Sequence, residues 1–320
     1  MTWVTWRQYR YQGALAAALF AALTVVLLIT GLHVAQLWHS ALARCATDGS
    51  CANLAGTGLS LQSPVLTTLI VGTSAVALLP GLFWGAPMVA HELETGTNQF
   101  AWTQSITRRR WLAVRTGWLL LAAAVLAGAV SALVTWATGP DSALYADAFQ
   151  INRFDVTDIV PVGYAVFAMA LGICAGTLLR RTLPAVAVTL AGFVGIRVLT
   201  AQWLRPHYMT PVTGYYKLTR LYAPKGSYLS VSQGIVGPDG KPPVAGLGGY
   251  VFNGGPIPTV CAKAIQNPAP CMAAHGYRAF LTYQPASRFW AFQGIETAIF
   301  VILAAILLGF TFWVLLRRDA

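Results

Sequence analysis

The residues His91-Glu92-Leu93-Glu94-Thr95 begin like the HExxH motif of zinc proteases. In that motif, two histidines four residues apart on one helix face bind the zinc ion. Thr95 stands where the second histidine would be, so this stretch cannot present two histidine ligands. We therefore expect neither a bound metal nor protease chemistry at this position.

The stretch GPDGKPP at 237–243 is the part of the chain nearest to a Walker A loop. Such a loop needs a glycine five residues before its last glycine, and a hydroxyl residue after its lysine, to hold the phosphates and metal ion of ATP. Ile235 and Pro242 occupy these two positions. The scattered histidines also show no Ser-His-Asp order. The chain is therefore expected to bind no cofactor and to be no enzyme by itself.

Any functional residues of this chain must be positioned by long apolar segments. A helix of roughly 20 apolar residues crosses the ~30 Å core of a bilayer. Soluble domains contain about 25% charged residues, whereas this chain contains 10% charged and 56% hydrophobic residues. The sequence therefore predicts an all-α polytopic membrane protein with six transmembrane helices. The six apolar stretches lie near 15–37, 65–89, 112–137, 160–179, 183–204 and 292–315.

The distribution of arginine predicts the orientation, because short cytoplasmic loops are rich in Lys and Arg. With the N-terminus in the cytoplasm, the two short outer loops contain Arg44 and Arg153. We expect both termini in the cytoplasm, in a multi-pass protein of the plasma membrane. The net charge of +11 lies mostly at helix ends and requires no nucleic acid as a partner. The cytoplasmic segments then contain Arg7, Arg10, Arg108, Arg109, Arg110, Arg115, Arg180, Arg181, Arg317 and Arg318.

The chain is predicted to divide into four parts. Residues 1–12 alternate aromatic residues with arginine and are expected to form an interfacial amphipathic helix, with a disordered tail as the alternative. Residues 13–204 contain the first five transmembrane helices and a cytoplasmic loop at 90–111. Residues 205–291 are rich in Gly, Pro and Tyr and predict a small extracytoplasmic domain of loops and short strands. Residues 292–320 form the sixth transmembrane helix and a cytoplasmic tail.

Four cysteines fall on the predicted outer side of the membrane. Cys45 and Cys51 lie in the first outer loop, and Cys261 and Cys271 lie in the 205–291 segment. Disulfides form and persist in oxidising compartments such as this one. We expect the disulfides Cys261–Cys271 and Cys45–Cys51, while free thiols and cross-pairing between the loops stay open.

Two charged residues lie within predicted spans. At about 1.5 Å per residue, Arg197 lies about 21 Å from the inner boundary and Glu296 about 7 Å from the outer boundary of a ~30 Å core. An isolated charge there costs at least about 2.5 kcal/mol on insertion scales. The sequence therefore predicts an Arg197–Glu296 ion pair, either a gate latch or substrate contact, or a static strut. Four carboxylates of the predicted outer loop are treated as ordinary surface groups, namely Asp141, Asp147, Asp155 and Asp158.

Small residues predict where helices pack closely. Gly172 and Gly176 form a GxxxG pair, and Ala191 with Gly195 forms a similar pair of small residues. Such pairs let helix backbones approach one another in a membrane. The prolines of the second apolar stretch remove backbone hydrogen bonds, so its inner end should be bent or broken.

The stretches GAPMVAHELETGTNQFAWTQSITRRRWLAVRTGW (85–118) and YQPASRFWAFQGIETAIF (283–300) closely resemble permease subunits of bacterial ABC exporters of the type-2 class. The resemblance implies that the chain is half of a transmembrane domain and pairs with an identical or sister permease. It also implies a separate cytoplasmic ATPase, present in two copies. ATP and Mg²⁺ would be bound by that partner and not by this chain.

The same resemblance implies where the ATPase docks. The loop between the second and third helices, at about 92–110, would form the coupling helix. The turn between the fourth and fifth helices would make a second, smaller contact. The residues implied are Glu92, Glu94, Thr95, Gly96, Thr97, Gln104, Arg108, Arg109, Arg180 and Arg181.

The substrate of such an exporter would lie between the two helix bundles. An apolar, aromatic wall fits a hydrophobic or amphiphilic compound such as a drug or antibiotic, and Phe83, Trp84 and Phe193 are candidates for it. One alternative is a secondary transporter or channel, which would need ionisable residues near the midplane. Another is a membrane-anchored envelope or sensor protein that displays the 205–291 domain.

Overall fold

The computed structural model shows a chain that divides into two compact units. The first consists of residues up to 145, 151–198 and 293–320, and the second of 146–150 and 199–292. Statements about structure below concern the residues that are described, which are 18, 20–33, 35–37, 39–40, 42–43, 72–88, 90, 108–145, 149, 151–218, 228–241, 251–252, 255–261 and 268–318.

Most of the described chain is helical. Five of the six predicted stretches are helices that are long and apolar enough to cross a membrane. Residues 65–71 of the remaining stretch lie outside the described residues, so the sixth span stays a prediction. The helices, in chain order, are α1 (Phe20–Leu37), α2 (Arg108–Tyr145), α3 (Ile151–Phe154), α4 (Val160–Leu179), α5 (Thr182–Leu199), α6 (Pro268–Ala274) and α7 (Phe289–Arg318).

The segment 72–88 departs from a regular α-helix, as its prolines predict. Residues 75–78 form turns, and Gly81–Gly85 form one turn of π-helix that begins directly after Pro80. Proline has no N–H to donate, so the regular ladder of hydrogen bonds cannot run through this point. A π-turn inserted in a helix is a recognised way to accommodate such an interruption.

Helix α4 lies at the centre of the first unit. Most of its residues are buried, whereas α2, α5 and α7 each leave many apolar side chains exposed. Trp118, Leu183 and Ile306 are examples of these exposed side chains. A helix that is apolar all round belongs in the middle of a bundle. The exposed apolar surface of the others is what lipid contact requires.

Glycines bring the segment 72–88 against α4. A Cβ atom added at Gly172 would collide with the carbonyl oxygen of Gly81, and one added at Gly85 would lie 2.8 Å from the carbonyl oxygen of Met169. The close packing predicted for Gly172 and Gly176 is therefore confirmed. Gly195 has open space around it, so the second small-residue pair makes no such contact within the described chain.

The second unit contains an antiparallel sheet of three strands in the order β1-β5-β2. The strands are β1 (Val212–Lys217), β2 (Tyr228–Val236), β3 (Val251–Phe252), β4 (Gly255–Pro256) and β5 (Arg278–Pro285), and β3 pairs with β4 in a second sheet. Aromatic and β-branched residues favour the extended conformation in these segments. Ile235, Ile257 and Met272 belong to the buried cluster that packs under the sheet. Cys261 and Cys271 are joined by a disulfide beside this cluster.

A buried glutamine fastens β5 to the segment that follows α5. The Gln284 amide nitrogen donates hydrogen bonds to the carbonyl oxygens of Pro206 and Met209. Its amide oxygen accepts a hydrogen bond from Arg288, which also donates to the Thr210 carbonyl oxygen. These bonds satisfy carbonyl groups that would otherwise be left over where a helix ends.

Candidate functional site

The most conspicuous polar feature of the first unit is an ion pair between α5 and the turn that precedes α4. The Arg197 guanidinium donates to Oδ2 of Asp155 at distances of 2.8 and 3.2 Å. The Asp155 side chain is 1% exposed and that of Arg197 is 19% exposed. The predicted Arg197–Glu296 ion pair is therefore wrong in its partner. The turn delivers a carboxylate from the predicted outer loop to the arginine, and this neutralises the charge locally.

The turn at 155–159 holds Asp155 in place because it is fastened to α2. The Ser131 hydroxyl donates to the carbonyl oxygen of Asp158 at 2.7 Å, and the Asp158 N–H donates to the Thr135 hydroxyl at 3.1 Å. Asp158 itself has φ of 60°, a left-handed conformation that Asp tolerates better than most residues. The polar residues on this face of α2 therefore position the turn and its carboxylate.

Tyr164 connects the ion pair to Glu296. The Tyr164 hydroxyl oxygen lies 3.1 Å from Oδ1 of Asp155 and is also hydrogen-bonded to Oε1 of Glu296. Tyr164 is 1% exposed and Glu296 is 0% exposed. Arg197 and Glu296 therefore belong to one buried network, but Asp155 and Tyr164 stand between them. The name polar network is used below for these four residues.

Gln293, one turn before Glu296 on α7, fixes that helix against the start of α4. Its amide oxygen accepts a hydrogen bond from the Val160 N–H at 3.0 Å, and its amide nitrogen donates to the Phe154 carbonyl oxygen at 3.2 Å. The first N–H groups of a helix need partners from outside the helix. Because residues three apart share a helix face, the same face then presents Glu296 to Tyr164.

Aromatic residues pack against the polar network. The ring of Tyr164 contacts those of Phe193 and Phe300, with centroids 6.1 and 4.6 Å apart, and the Arg197 guanidinium lies 5.3 Å from its centroid. Phe167 contacts both phenylalanines as well. This apolar layer excludes water from one side of the network and strengthens the electrostatic interactions within it.

The proposed aromatic wall of a substrate cavity is not assembled in this conformation. Phe193 is 2% exposed and packs between Tyr164 and Phe167, whereas Phe83 is 64% exposed on the surface of the unit. Trp84 is partly exposed. These three residues therefore line no common cavity within the described part of the single chain, and their place in a wall between two helix bundles stays a prediction.

A small cavity adjoins the polar network on the side of the segment 72–88. It is lined in part by Thr73, Ser74, Ser131 and Asp155, and it has room for a water molecule. The Arg197 guanidinium also donates to the Ser74 carbonyl oxygen at 3.3 Å. Hydroxyl, carbonyl and carboxylate groups around one space are the partners that a buried water needs.

The carboxyl group of Asp158 lies at the edge of the unit, before the first residue of α4. Its partial burial raises the pKa above the ordinary value of 3.8, and a hydrogen bond from the Thr157 side chain opposes part of this effect. Burial disfavours the charged form of a carboxyl group because the charge loses its hydration. Asp158 is therefore less stable as a carboxylate in the folded chain than in water.

The residues implied in ATPase docking are described only in part. The turn between α4 and α5 exposes both Arg180 and Arg181. Arg180 has φ of 52°, and its N–H donates to the Gly176 carbonyl oxygen at 3.1 Å where α4 ends. Arg108 and Arg109 begin α2, and their side chains lie outside the described part. Other residues named in the sequence analysis lie entirely outside the described part. They are residues 1–12, Cys45, Cys51, Glu92, Glu94, Thr95, Gly96, Thr97 and Gln104.

The sequence reasoning missed Asp155 and Tyr164. A tyrosine within an apolar span is a usable signal, since a buried hydroxyl needs a hydrogen-bond partner. Asp155 gave no such signal, because it lies among other carboxylates in a stretch predicted to face water. Its role depends on a turn that the sequence pattern does not reveal.

Comparison with known proteins identifies the class to which this bundle belongs. A family model described as ABC-2 membrane transporter related matches residues 17–205. The chain belongs to this family and is a multi-pass membrane component of an ABC transporter. Membership implies association with an ABC ATPase component. The search of curated proteins and the search of solved structures returned no match.

Proposed function

We propose that this chain is the permease subunit of an ATP-driven exporter in a bacterial plasma membrane. The observation that carries the proposal is the family match over 17–205, which includes every element of the polar network except α7. A second permease, identical or a sister, would complete the pathway. Two copies of a separate cytoplasmic ATPase would bind ATP and Mg²⁺ and supply the energy.

The arrangement of α2 supports a route for that energy. This helix runs for 38 residues from Arg108, next to the proposed coupling loop at 90–111, to Tyr145. Ser131 and Thr135, about 35 to 40 Å along its axis from Arg108, fasten the turn that carries Asp155. A displacement of the loop by the ATPase would therefore reach the Asp155–Arg197 pair through one rigid element.

In this proposal, the polar network acts as the gate latch. It joins α4, α5 and α7 through hydrogen bonds and one ion pair, so these helices cannot separate without breaking it. Groups of this kind rearrange between discrete states because partial separation leaves buried polar atoms without partners. ATP binding would drive the change that opens the latch.

The proposed substrate is a hydrophobic or amphiphilic compound, of the kind whose efflux gives drug or antibiotic resistance. The support is the apolar character of the exposed surfaces of the segment 72–88 and α5, where Phe83, Leu183 and Val198 are exposed. An apolar compound could reach such surfaces from the lipid. In the assembled pair of permeases, these surfaces would line or border the pathway.

The proposal is tested by purifying the chain with its ATPase in lipid nanodiscs and measuring ATP hydrolysis with and without candidate substrates. Replacing both Glu92 and Glu94 by Lys should reduce substrate-stimulated hydrolysis at least severalfold by weakening docking. Lys241→Ala, which removes an exposed charge in the second unit, is the matched control and should leave hydrolysis unchanged. Equal hydrolysis by all three proteins would contradict the docking site.

A secondary transporter is the second candidate, and the polar network is the observation that favours it. Buried carboxylates and a tyrosine within a helix bundle are typical of ion and proton pathways in membranes. The two candidates differ in the need for the ATPase. If the purified chain alone moves substrate along an ion gradient in vesicles, the exporter proposal fails and the secondary transporter takes its place.

A further inference from the structure

The three-stranded sheet of the second unit has one buried face and one largely exposed face. Residues such as Ile235 and Ala279 on the buried face belong to the cluster under the sheet. Residues directly opposite each other on neighbouring strands share a face. The other face therefore consists of three rows, each with one residue from β1, one from β5 and one from β2. The rows are Lys217, Arg278 and Val236; Tyr215, Phe280 and Gly234; and Thr213, Thr282 and Ser232.

The first row places two cations side by side. Lys217 and Arg278 are paired across β1 and β5, and both side chains are exposed. The Cβ atoms of such a pair are about 4.5–5.5 Å apart, and like charges in this position destabilise a sheet. An anion bound between the two side chains would remove this repulsion, because it forms charge-assisted hydrogen bonds with both.

The composition of the second unit also favours an anionic ligand. The unit contains eight Lys and Arg residues and two acidic residues, Asp147 and Asp239. Two carboxylates cannot neutralise eight cations, so the unit has a surplus of positive charge. A surface of this kind attracts polyanions.

The second row presents aromatic rings beside the two cations. Tyr215 is 64% exposed, and Phe280 opposite to it is partly exposed. A Cβ atom added at Gly234 would lie 3.0 Å from Cε1 of Phe280, so the absence of a side chain at Gly234 lets this ring lie across β2. Exposed rings with a polar surrounding suit a ligand whose own rings have an apolar face and a polar edge.

The third row carries hydroxyl groups. The hydroxyl oxygens of Thr213 and Thr282 lie 3.0 Å apart, and Ser232 is exposed on the other side of β5. Hydroxyl groups both donate and accept hydrogen bonds, which suits a ligand that bears hydroxyl groups itself. The acyl chain of a lipid would meet no apolar row here. Rows are about 6.6 Å apart, so the three together cover about 13 Å, which is the length of a short oligosaccharide.

We infer that this exposed sheet face binds an acidic polysaccharide. Its acid groups bind at Lys217 and Arg278, its sugar rings lie on Tyr215 and Phe280, and its hydroxyl groups meet the third row. The inference goes beyond the proposed exporter function, because it holds whether or not an ATPase drives the chain. The orientation predicted from the sequence places this unit outside the cell, where polymers of this kind occur.

The test is isothermal titration calorimetry of the purified full-length protein, in a non-ionic detergent without sugar groups, with polygalacturonate as the probe. Fully methyl-esterified polygalacturonate is the matched ligand, since it has the same sugar rings without the charges. The wild-type protein should bind the acidic polymer about tenfold more tightly than the ester, with an affinity that falls as salt is added. Arg278→Gln should weaken binding of the acidic polymer about tenfold.

Three further variants separate the site from net charge and from folding. Arg317→Gln is the matched control, because it removes the same charge about 42 Å along α7 from Phe289 and should leave binding unchanged. Lys217→Glu places opposite charges across the two strands, so it should keep or raise the melting temperature while weakening binding as much as Arg278→Gln. Tyr215→Ala should weaken binding without changing its salt dependence, because only the ring contact is lost.

Equal affinity of the wild-type protein for the two polymers would overturn the inference. So would an equal loss of affinity in Arg278→Gln and Arg317→Gln, since attraction to net charge alone would explain it. A single-stranded DNA oligonucleotide and glycerol phosphate, which represents a lipid headgroup, are the competing probes. Tighter binding of either probe than of polygalacturonate, lost in Arg278→Gln, would assign the face to another class of ligand.

Discussion

Arg197 and Asp155 are 42 residues apart in the sequence, yet their side chains form an ion pair with N and O atoms 2.8 Å apart. The contact joins α5 to the turn before α4, and Tyr164 extends it to Glu296 on α7. Three helices of the first unit are therefore tied together by one set of buried polar atoms. Such sets are costly to disturb in part, because every remaining member loses a partner.

Removing one member of the ion pair should lower the free energy of unfolding more than removing both members. Asp155→Asn leaves the Arg197 guanidinium buried without its counter-charge, and we expect a loss of about 3 kcal/mol in the free energy of unfolding. Combining it with Arg197→Met should recover part of that loss, because no charge is left without a partner. Thermal or denaturant unfolding of the two single variants and the double variant measures the coupling. Additive losses in this cycle would contradict a direct pair.

Close packing of α4 against the segment 72–88 predicts different changes in stability when two glycines are replaced by alanine. In Gly172→Ala, the new methyl group would meet the Gly81 carbonyl oxygen and the Ala86 nitrogen, which are backbone atoms that cannot turn away. We expect a loss of about 1–3 kcal/mol in stability. Gly195→Ala adds a methyl group in open space and should be neutral or slightly stabilising, because alanine favours the helix. Melting temperatures of the two variants in the same detergent make the comparison.

If both substitutions lower the melting temperature equally, this result would contradict the close packing of α4 against the segment 72–88. A loss confined to Gly195→Ala would indicate that this residue is covered in the assembled complex, for example by a second copy. The comparison should therefore be made on the purified single chain and on the complex.

The sequence predicted the apolar spans and the close contact at Gly172 and Gly176 because both depend on local features. Spans need only length and hydropathy, and close helix contacts need only small residues at helical spacing. The partner of Arg197 could not be predicted in the same way. Depth within the membrane placed Glu296 near it, but Asp155 reaches Arg197 through a left-handed turn at Asp158 that no periodicity encodes. The geometry of one turn therefore decided which carboxylate became the counter-ion.

The Gln293 side chain predicts a specific loss of stability. In Gln293→Leu, the buried Val160 N–H loses the amide oxygen that accepts its hydrogen bond, and the Phe154 carbonyl oxygen loses the hydrogen bond from the amide nitrogen. A buried polar group left without a partner costs about 1–3 kcal/mol, so the unfolding free energy should fall by at least that amount. Gly294→Ala is the control on the same helix, because nothing lies within 4 Å of its added Cβ. A Gln293→Leu variant as stable as this control would show that water replaces the amide.

Asp158 predicts how the stability of the first unit depends on pH. Burial raises the pKa of its carboxyl group above 3.8, so the folded chain holds this proton at pH values where the unfolded chain has released it. The folded chain then binds more protons than the unfolded chain in that window. The contribution of Asp158 to stability therefore falls as the pH rises from about 3.8 to the folded pKa, and stays low at neutral pH.

Asp158→Asn should remove this dependence, because asparagine carries no charge at any of these pH values. Asparagine also tolerates the left-handed backbone at φ of 60°, so the turn should persist. We expect the variant to be at least as stable as the wild-type protein at neutral pH, with its advantage shrinking as the pH approaches 4. Asp158→Ala separates the two effects, since it also removes the charge but costs about 1–2 kcal/mol in this backbone conformation. Unfolding curves of the three proteins across this pH range provide the measurement. If Asp158→Asn keeps the wild-type pH dependence, the titrating group lies elsewhere in the unit.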